Sequence, residues 1–233
     1  MLAEFVGTFL LLSVVVGSGI AAQRLSPHDV GLQLLENGLA TGAGLAAIIL
    51  AVGSVSGAHL NPIVSLADRC FGGLSNGELA VYVPAQLCGA IAGVVVANLM
   101  YDLPAIEWST RSRSGSGLWL AEGVATAGLL LVVFGLARSG RSTVAPFAVG
   151  AYIAAAYWFT SSTSFANPAV TMGRALTDTF TGIEPGSVPG FVAFQLVGSA
   201  VAVVLVRMLY PDVARRAVDV IVPHDPLEAE DAS

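Results

Sequence analysis

The residues best placed to do chemistry are two asparagines. They lie in Ser56-Gly57-Ala58-His59-Leu60-Asn61-Pro62-Ile63-Val64 and in Ser164-Phe165-Ala166-Asn167-Pro168-Ala169-Val170. Asn followed by Pro starts a helix: the Asn oxygen accepts an orphan backbone N–H, and Pro suits the first helical position. The amide NH₂ is then left to donate elsewhere. One such pair means little, but one in each half of a very apolar chain is a strong signal.

The elements around these asparagines must sit in lipid. Of 233 residues, 55% are hydrophobic and 11% charged. A soluble domain carries about 25% charged residues, so water is not the main solvent here. Six apolar windows could each cross the roughly 30 Å of hydrocarbon: 2–22, 32–53, 78–100, 118–137, 143–160 and 188–210, the fifth being the shortest. The first window contains Glu4 and lacks a basic leader, so it reads as a retained span rather than a cleaved signal. The two cysteines, Cys70 and Cys88, imply neither a disulfide framework nor a metal site.

Three landmarks recur in order. Glu4 in Ala3-Glu4-Phe5-Val6-Gly7-Thr8 matches Glu122 in Ala121-Glu122-Gly123-Val124-Ala125-Thr126, Asn61 matches Asn167, and Gln86 matches Gln195. The separations are 118, 106 and 109 residues. Residues 1–105 and 106–210 therefore read as two repeats of three spans and a half-helix, and 211–233 as an acidic tail. Three is odd, so the second repeat enters the bilayer from the opposite face, a plan shared by channels and transporters. From Asn61 to Cys70 is about 15 Å of helix, half the membrane. Such a broken segment is tolerated only beside protein or a water-filled cavity. Two opposed half-helices would bring two N-terminal ends together at mid-bilayer, each carrying about +0.5 charge.

The motifs Ala3-Glu4-Phe5-x-Gly7-Thr8, Ser56-Gly57-Ala58-His59-Leu60-Asn61-Pro62, Pro84-Ala85-Gln86 and Asn167-Pro168-Ala169 closely resemble those of the major intrinsic protein family, the aquaporins and aquaglyceroporins. The resemblance covers almost everything from Ala3 to Tyr210. It implies an all-α membrane protein with six transmembrane helices plus two re-entrant half-helices, one pore per subunit and a homotetramer. It places Asn61, Pro62, Ile63, Asn167, Pro168 and Ala169 at the pore centre. Ile63 replaces the usual Ala there.

Glu4 and Glu122 are intramembrane carboxylates, a default mark of function. Proton coupling is one reading; bracing the half-helix loops, with Gln86 and Gln195, is the preferred one. His59 either faces the pore or braces its loop. Glycines inside the spans, such as Gly42, Gly89 and Gly198, read as close helix packing.

The family pattern breaks at its narrow filter. Most members carry Arg three residues after the second Asn, where this chain has Val170. The companion positions fall on Thr41, on Ser164 and on a fifth-span residue. Counting back twelve from Asn167 gives Ala155, the preferred assignment; aligning the Val149-Gly150 step gives Tyr157. Losing a guanidinium removes a long side chain, five donors and a charge. Arg174, two turns beyond Asn167, lies too far along to stand at the height of residue 170. The expected filter of Thr41, Ala155, Ser164 and Val170 is wide and mildly apolar.

The expected function is a passive channel for small uncharged solutes and water that excludes ions and protons. Polyols, urea-like amides and metalloid hydroxides such as arsenite are the candidate solutes. Val in place of the filter Arg resembles a bacterial subgroup associated with arsenic compounds. The alternatives are a water-selective channel and a coupled secondary transporter. No nucleophile–base pair, phosphate loop or metal-ligand cluster suggests an enzyme, and no cofactor or nucleic-acid partner is implied. The chain is expected in a bacterial inner (plasma) membrane. Both termini are placed in the cytoplasm, the side that then holds Arg69, Arg138, Arg141, Arg207, Arg215 and Arg216 against Arg24, Arg111, Arg113 and Arg174.

Overall fold

Local signals set the helix boundaries. Asp29 accepts from Leu32 N at 2.9 Å and starts a helix that ends at Gly57, left-handed with φ 75°. Ser75 and Glu78 form a reciprocal capping box, with bonds of 3.2 and 2.7 Å. The computed structural model describes residues 1–210; the acidic tail and its Arg215 and Arg216 lie outside the described residues. The described residues form eight α-helices: α1 (Leu2–Leu25), α2 (Val30–Ser56), α3 (Pro62–Phe71), α4 (Asn76–Met100), α5 (Ser116–Arg138), α6 (Ala145–Phe159), α7 (Pro168–Arg174) and α8 (Val188–Leu209). Six of these elements are long and apolar enough to span a membrane among the described residues. The fifth span is the shortest, and reaches its length through a 3₁₀ turn, Ser142–Val144, before α6. Large apolar side chains such as Leu39, Leu50, Ile91 and Val197 stay exposed on the outside, as lipid requires.

The packing repeats itself. α1 packs on α4, α5 on α8, and α2 on α6. The α2–α6 contact depends on Gly42 and Gly150: a Cβ at Gly42 would sit 2.7 Å from the Gly150 carbonyl oxygen and 2.8 Å from the Ala154 Cβ. A Cβ at Gly89 would collide with the Phe5 carbonyl oxygen, and one at Gly198 with that of Gly123. Without a hydrophobic drive between helices in lipid, such close backbone approach supplies the dispersion contacts.

The short helices α3 and α7, of ten and seven residues, contact each other and pack on α4 and α8 within the bundle. Chain direction puts both ends of the described chain on one face of the bundle. The loops 101–115 and 175–187 lie on the other, called here the loop face.

Candidate functional site

Each half-helix begins at its asparagine. Asn61 Oδ1 accepts from Ile63 N at 2.9 Å; Asn167 Oδ1 accepts from Ala169 N at 2.9 Å and Val170 N at 3.2 Å. The amides then cross over. Asn61 Nδ2 donates to Ala166 O and Asn167 Nδ2 donates to Leu60 O, both at 2.8 Å. Each NH₂ has two hydrogens, so one on each side chain remains for the adjoining cavity, which both asparagines line.

The loops that deliver the asparagines are strained in matching ways. Ala58 and Leu60, three and one residues before Asn61, have φ of 48° and 51°. Ser164 and Ala166, three and one before Asn167, have φ of 50° and 48°. Non-glycine residues adopt this left-handed region only when their surroundings impose it, at about 1–3 kcal/mol each. The two carboxylates hold it, together with the Ser56 and Ser162 hydroxyls. Glu4 accepts from His59 N (3.0 Å), Leu60 N (2.7 Å), Ser56 Oγ (2.6 Å) and Gln86 Nε2 (2.7 Å). Glu122 accepts from Phe165 N (2.8 Å), Ala166 N (2.9 Å) and Gln195 Nε2 (2.7 Å). Both glutamates are fully buried, and neither lines the cavity.

Two hydroxyls that the sequence reading missed complete this frame. Gln86 also donates to Ser65 Oγ at 3.0 Å, and Gln195 to Thr171 Oγ1 at 2.9 Å. Each hydroxyl stands four residues after its asparagine, and that shared offset was the available signal. His59 lines the cavity, and its Nδ1 lies 3.1 Å from Ser65 Oγ.

The cavity holds about 60 Å³ of water-sized space, room for a short file of waters. Its walls come from helix stripes. Thr41, Leu45 and Ile49 line it from α2, and Val149, Ile153 and Tyr157 from α6. Both stripes step by four residues, which keeps one helix face inward. Val64 and Val170, each three residues after its asparagine, also line it. Pro62, Ile63, Pro168 and Ala169 do not; Ile63 is buried in the apolar core.

Two expectations need correction. Ala155 faces outward and is exposed, whereas Tyr157 is buried and lines the cavity. The two lie about 200° apart around a helix, so only one can face inward, and the 149/153/157 stripe selects Tyr157. The mouth is therefore narrower than four small side chains would make it. Arg174, judged too remote, lines the same cavity as Val170 and Ser164. It sits one turn past Val170 on the same face of α7, and helical side chains lean back toward the N-terminus.

Among the described residues no cluster of three or more His, Cys, Asp or Glu could hold a metal.

Opposed half-helices whose capped asparagines meet at a lined cavity, inside a six-span bundle, define a polytopic membrane channel. The profile described as major intrinsic protein matches residues 1–164, and the chain belongs to that family. It is a passive channel for small solutes, not an enzyme. The chain is 50% identical over 207 residues to the aquaglyceroporin AqpS of Rhizobium meliloti, covering 89% of this chain and 88% of that one. It is 30% identical over 237 residues to aquaporin AqpM of Methanothermobacter marburgensis, covering 90% and 94%. A glycerol uptake facilitator of Pseudomonas aeruginosa is 31% identical over 181 residues, 66% of this chain and 63% of that one. In fold, the chain is similar to the aquaglyceroporin of Plasmodium falciparum, with a TM-score of 0.70 and 24% identity over 91% of this chain and 96% of that one.

Proposed function

We propose that the chain conducts small uncharged solutes larger than water: polyols, urea-like amides and undissociated metalloid hydroxides such as arsenite. Water passes with them, and ions and protons are excluded. The observation that carries this reading is the two-faced cavity. Its wall of Leu11, Val15, Leu45, Ile49, Leu129 and Val133 suits a carbon backbone. Asn61, Asn167 and Ser164 offer hydrogen bonds within the same lumen. A polyol can then shed water without losing all its polar partners, whereas an ion cannot. The likeness to a protein named aquaglyceroporin, at 50% identity, supports the same solute class.

In this reading Asn61 and Asn167 turn each passing oxygen toward the centre, and the two positive helix ends repel cations and interrupt a proton-conducting file. Glu4, Glu122, Gln86 and Gln195 hold the loops in this reading. Thr41, Tyr157, Ser164 and Val170 form the filter. Tyr157 favours a second reading, a water-selective pore, because its ring narrows the mouth.

The family resemblance further supports a homotetramer in a bacterial inner membrane, and the arginine distribution supports cytoplasmic ends. Stopped-flow light scattering on proteoliposomes tests the proposal. Glycerol, urea and arsenite should all enter faster than into empty vesicles. Flux of water alone would replace this reading with the second one.

A further inference from the structure

Val170 and Arg174, one helical turn apart on α7, both line the cavity. Arg174 is 2% exposed. The guanidinium carbon stacks 3.4 Å from the centre of the Phe165 ring, and Nε donates to Thr181 O. These two contacts fix the plane of the group. They do not satisfy it: Nη1 is buried and has no hydrogen-bond partner among the described residues. The Ser164 hydroxyl is also buried and unpartnered, and Ser164 lines the same cavity. An orphaned guanidinium N–H and an orphaned hydroxyl in one wall are costly unless something oxygen-bearing meets them. The Thr41 and Tyr157 hydroxyls, 3.2 Å apart, line the same cavity and already engage each other.

We propose that Arg174 is the specificity-determining cation of this pore, acting from one turn beyond the position that Val170 occupies. Its free N–H, with the Ser164 hydroxyl, takes the place of water on an acceptor oxygen of the entering solute. The ligand class is small neutral molecules bearing a carbonyl or hydroxyl oxygen, such as urea and glycerol. Organic cations of the same size find a fixed positive charge and are refused. Arg matters beyond its charge: the flat fork held against Phe165 presents its donors at a set angle, which a flexible ammonium cannot do. This inference rests on the reading of the chain as a solute pore.

The experiment compares urea, glycerol and methylammonium entry into proteoliposomes carrying wild type, Arg174→Gln or Arg174→Lys. Wild type should admit urea and glycerol and refuse methylammonium. Arg174→Gln should raise methylammonium entry about tenfold, and Arg174→Lys should keep it low while slowing urea. An Arg174→Gln protein with wild-type methylammonium and urea rates overturns the proposal. A wild type that admits neither urea nor glycerol overturns the solute-pore reading instead. A measurement that leaves Arg174 in place guards against misfolding of the Gln variant. Val170→Cys, in a background with Cys70 and Cys88 replaced by Ala, is treated from the loop face with thiol reagents of equal size and opposite charge. The anionic reagent should react about tenfold faster; equal rates overturn the proposal.

Discussion

The hydroxyls of Thr41 and Tyr157 stand 3.2 Å apart, joining α2 to α6, and both residues line the cavity. The pair comes from corresponding helices of the two halves, yet its members differ greatly in size. The ring therefore does most of the narrowing, and the hydrogen bond holds it in place. Tyr157→Ala should raise glycerol entry severalfold, whereas Tyr157→Phe should change it less than about twofold, since one hydrogen bond contributes about 1 kcal/mol. Glycerol-driven swelling of proteoliposomes separates the two variants. Equal rates in both would mean that the ring does not limit passage.

Val170→Arg should slow urea and glycerol entry by about tenfold or more, because two guanidinium groups would then compete for one mouth. Water entry should fall less. Stopped-flow measurements with each solute test the difference.

Glu122→Ala should destabilise the protein by several kcal/mol. It would strand the Phe165 and Ala166 N–H groups and the Gln195 amide, at about 1–3 kcal/mol per orphaned group. Glu122→Gln keeps one acceptor oxygen and should lose less. Thermal unfolding in detergent ranks the variants. The same order is expected for Glu4→Ala and Glu4→Gln.

Gly150→Val should abolish the folded bundle, since even a Cβ there would press on the Gly42 carbonyl oxygen. Gly117→Val, where a Cβ meets nothing within 4 Å, is the matched control and should cost only about 1 kcal/mol. Size-exclusion profiles of the purified proteins distinguish them.

The loop face has a pH-sensitive tie. Asp178 accepts from Thr110 N at 2.9 Å, and this backbone bond, with hydroxyls of Thr110 and Ser109 and the nearby Arg111, holds its carboxyl below the usual 3.8. A lowered folded value means that the tie is fully stabilising above the unfolded value of 3.8, weakens below it, and is lost as pH falls through the lower folded value. Amide exchange at Thr110, relative to the spans, should therefore accelerate below about pH 4. Asp178→Asn should show that faster exchange already at pH 7.

The spans and the two half-helix starts were legible in the sequence because their signals are local. An apolar run of bilayer length and an Asn-Pro cap each act within a few residues. The Glu, Asn and Gln landmarks were legible as a repeat, but their bonds to the loops were not. Nothing in Ala58, Leu60, Ser164 or Ala166 announces a left-handed backbone, held here by carboxylates from distant helices together with the Ser56 and Ser162 hydroxyls. Of the two fifth-span candidates, counting back through a loop favours Ala155, whereas the 149/153/157 stripe selects Tyr157. Linear distance sets Arg174 apart from Val170 but says nothing of the cavity that both residues line.

By itself, then, the sequence determined what lipid and the peptide backbone demand: six apolar helices, two broken ones, and a doubled plan. Those demands are met residue by residue along the chain. Which side chains face one another across the lumen was decided only by the packed bundle. There Gly42 and Gly150 bring α2 and α6 together, Tyr157 turns inward, and Arg174 joins Val170 in the cavity wall. Such pairings join residues far apart in the chain, and helix rotation and side-chain reach, rather than sequence spacing, set them.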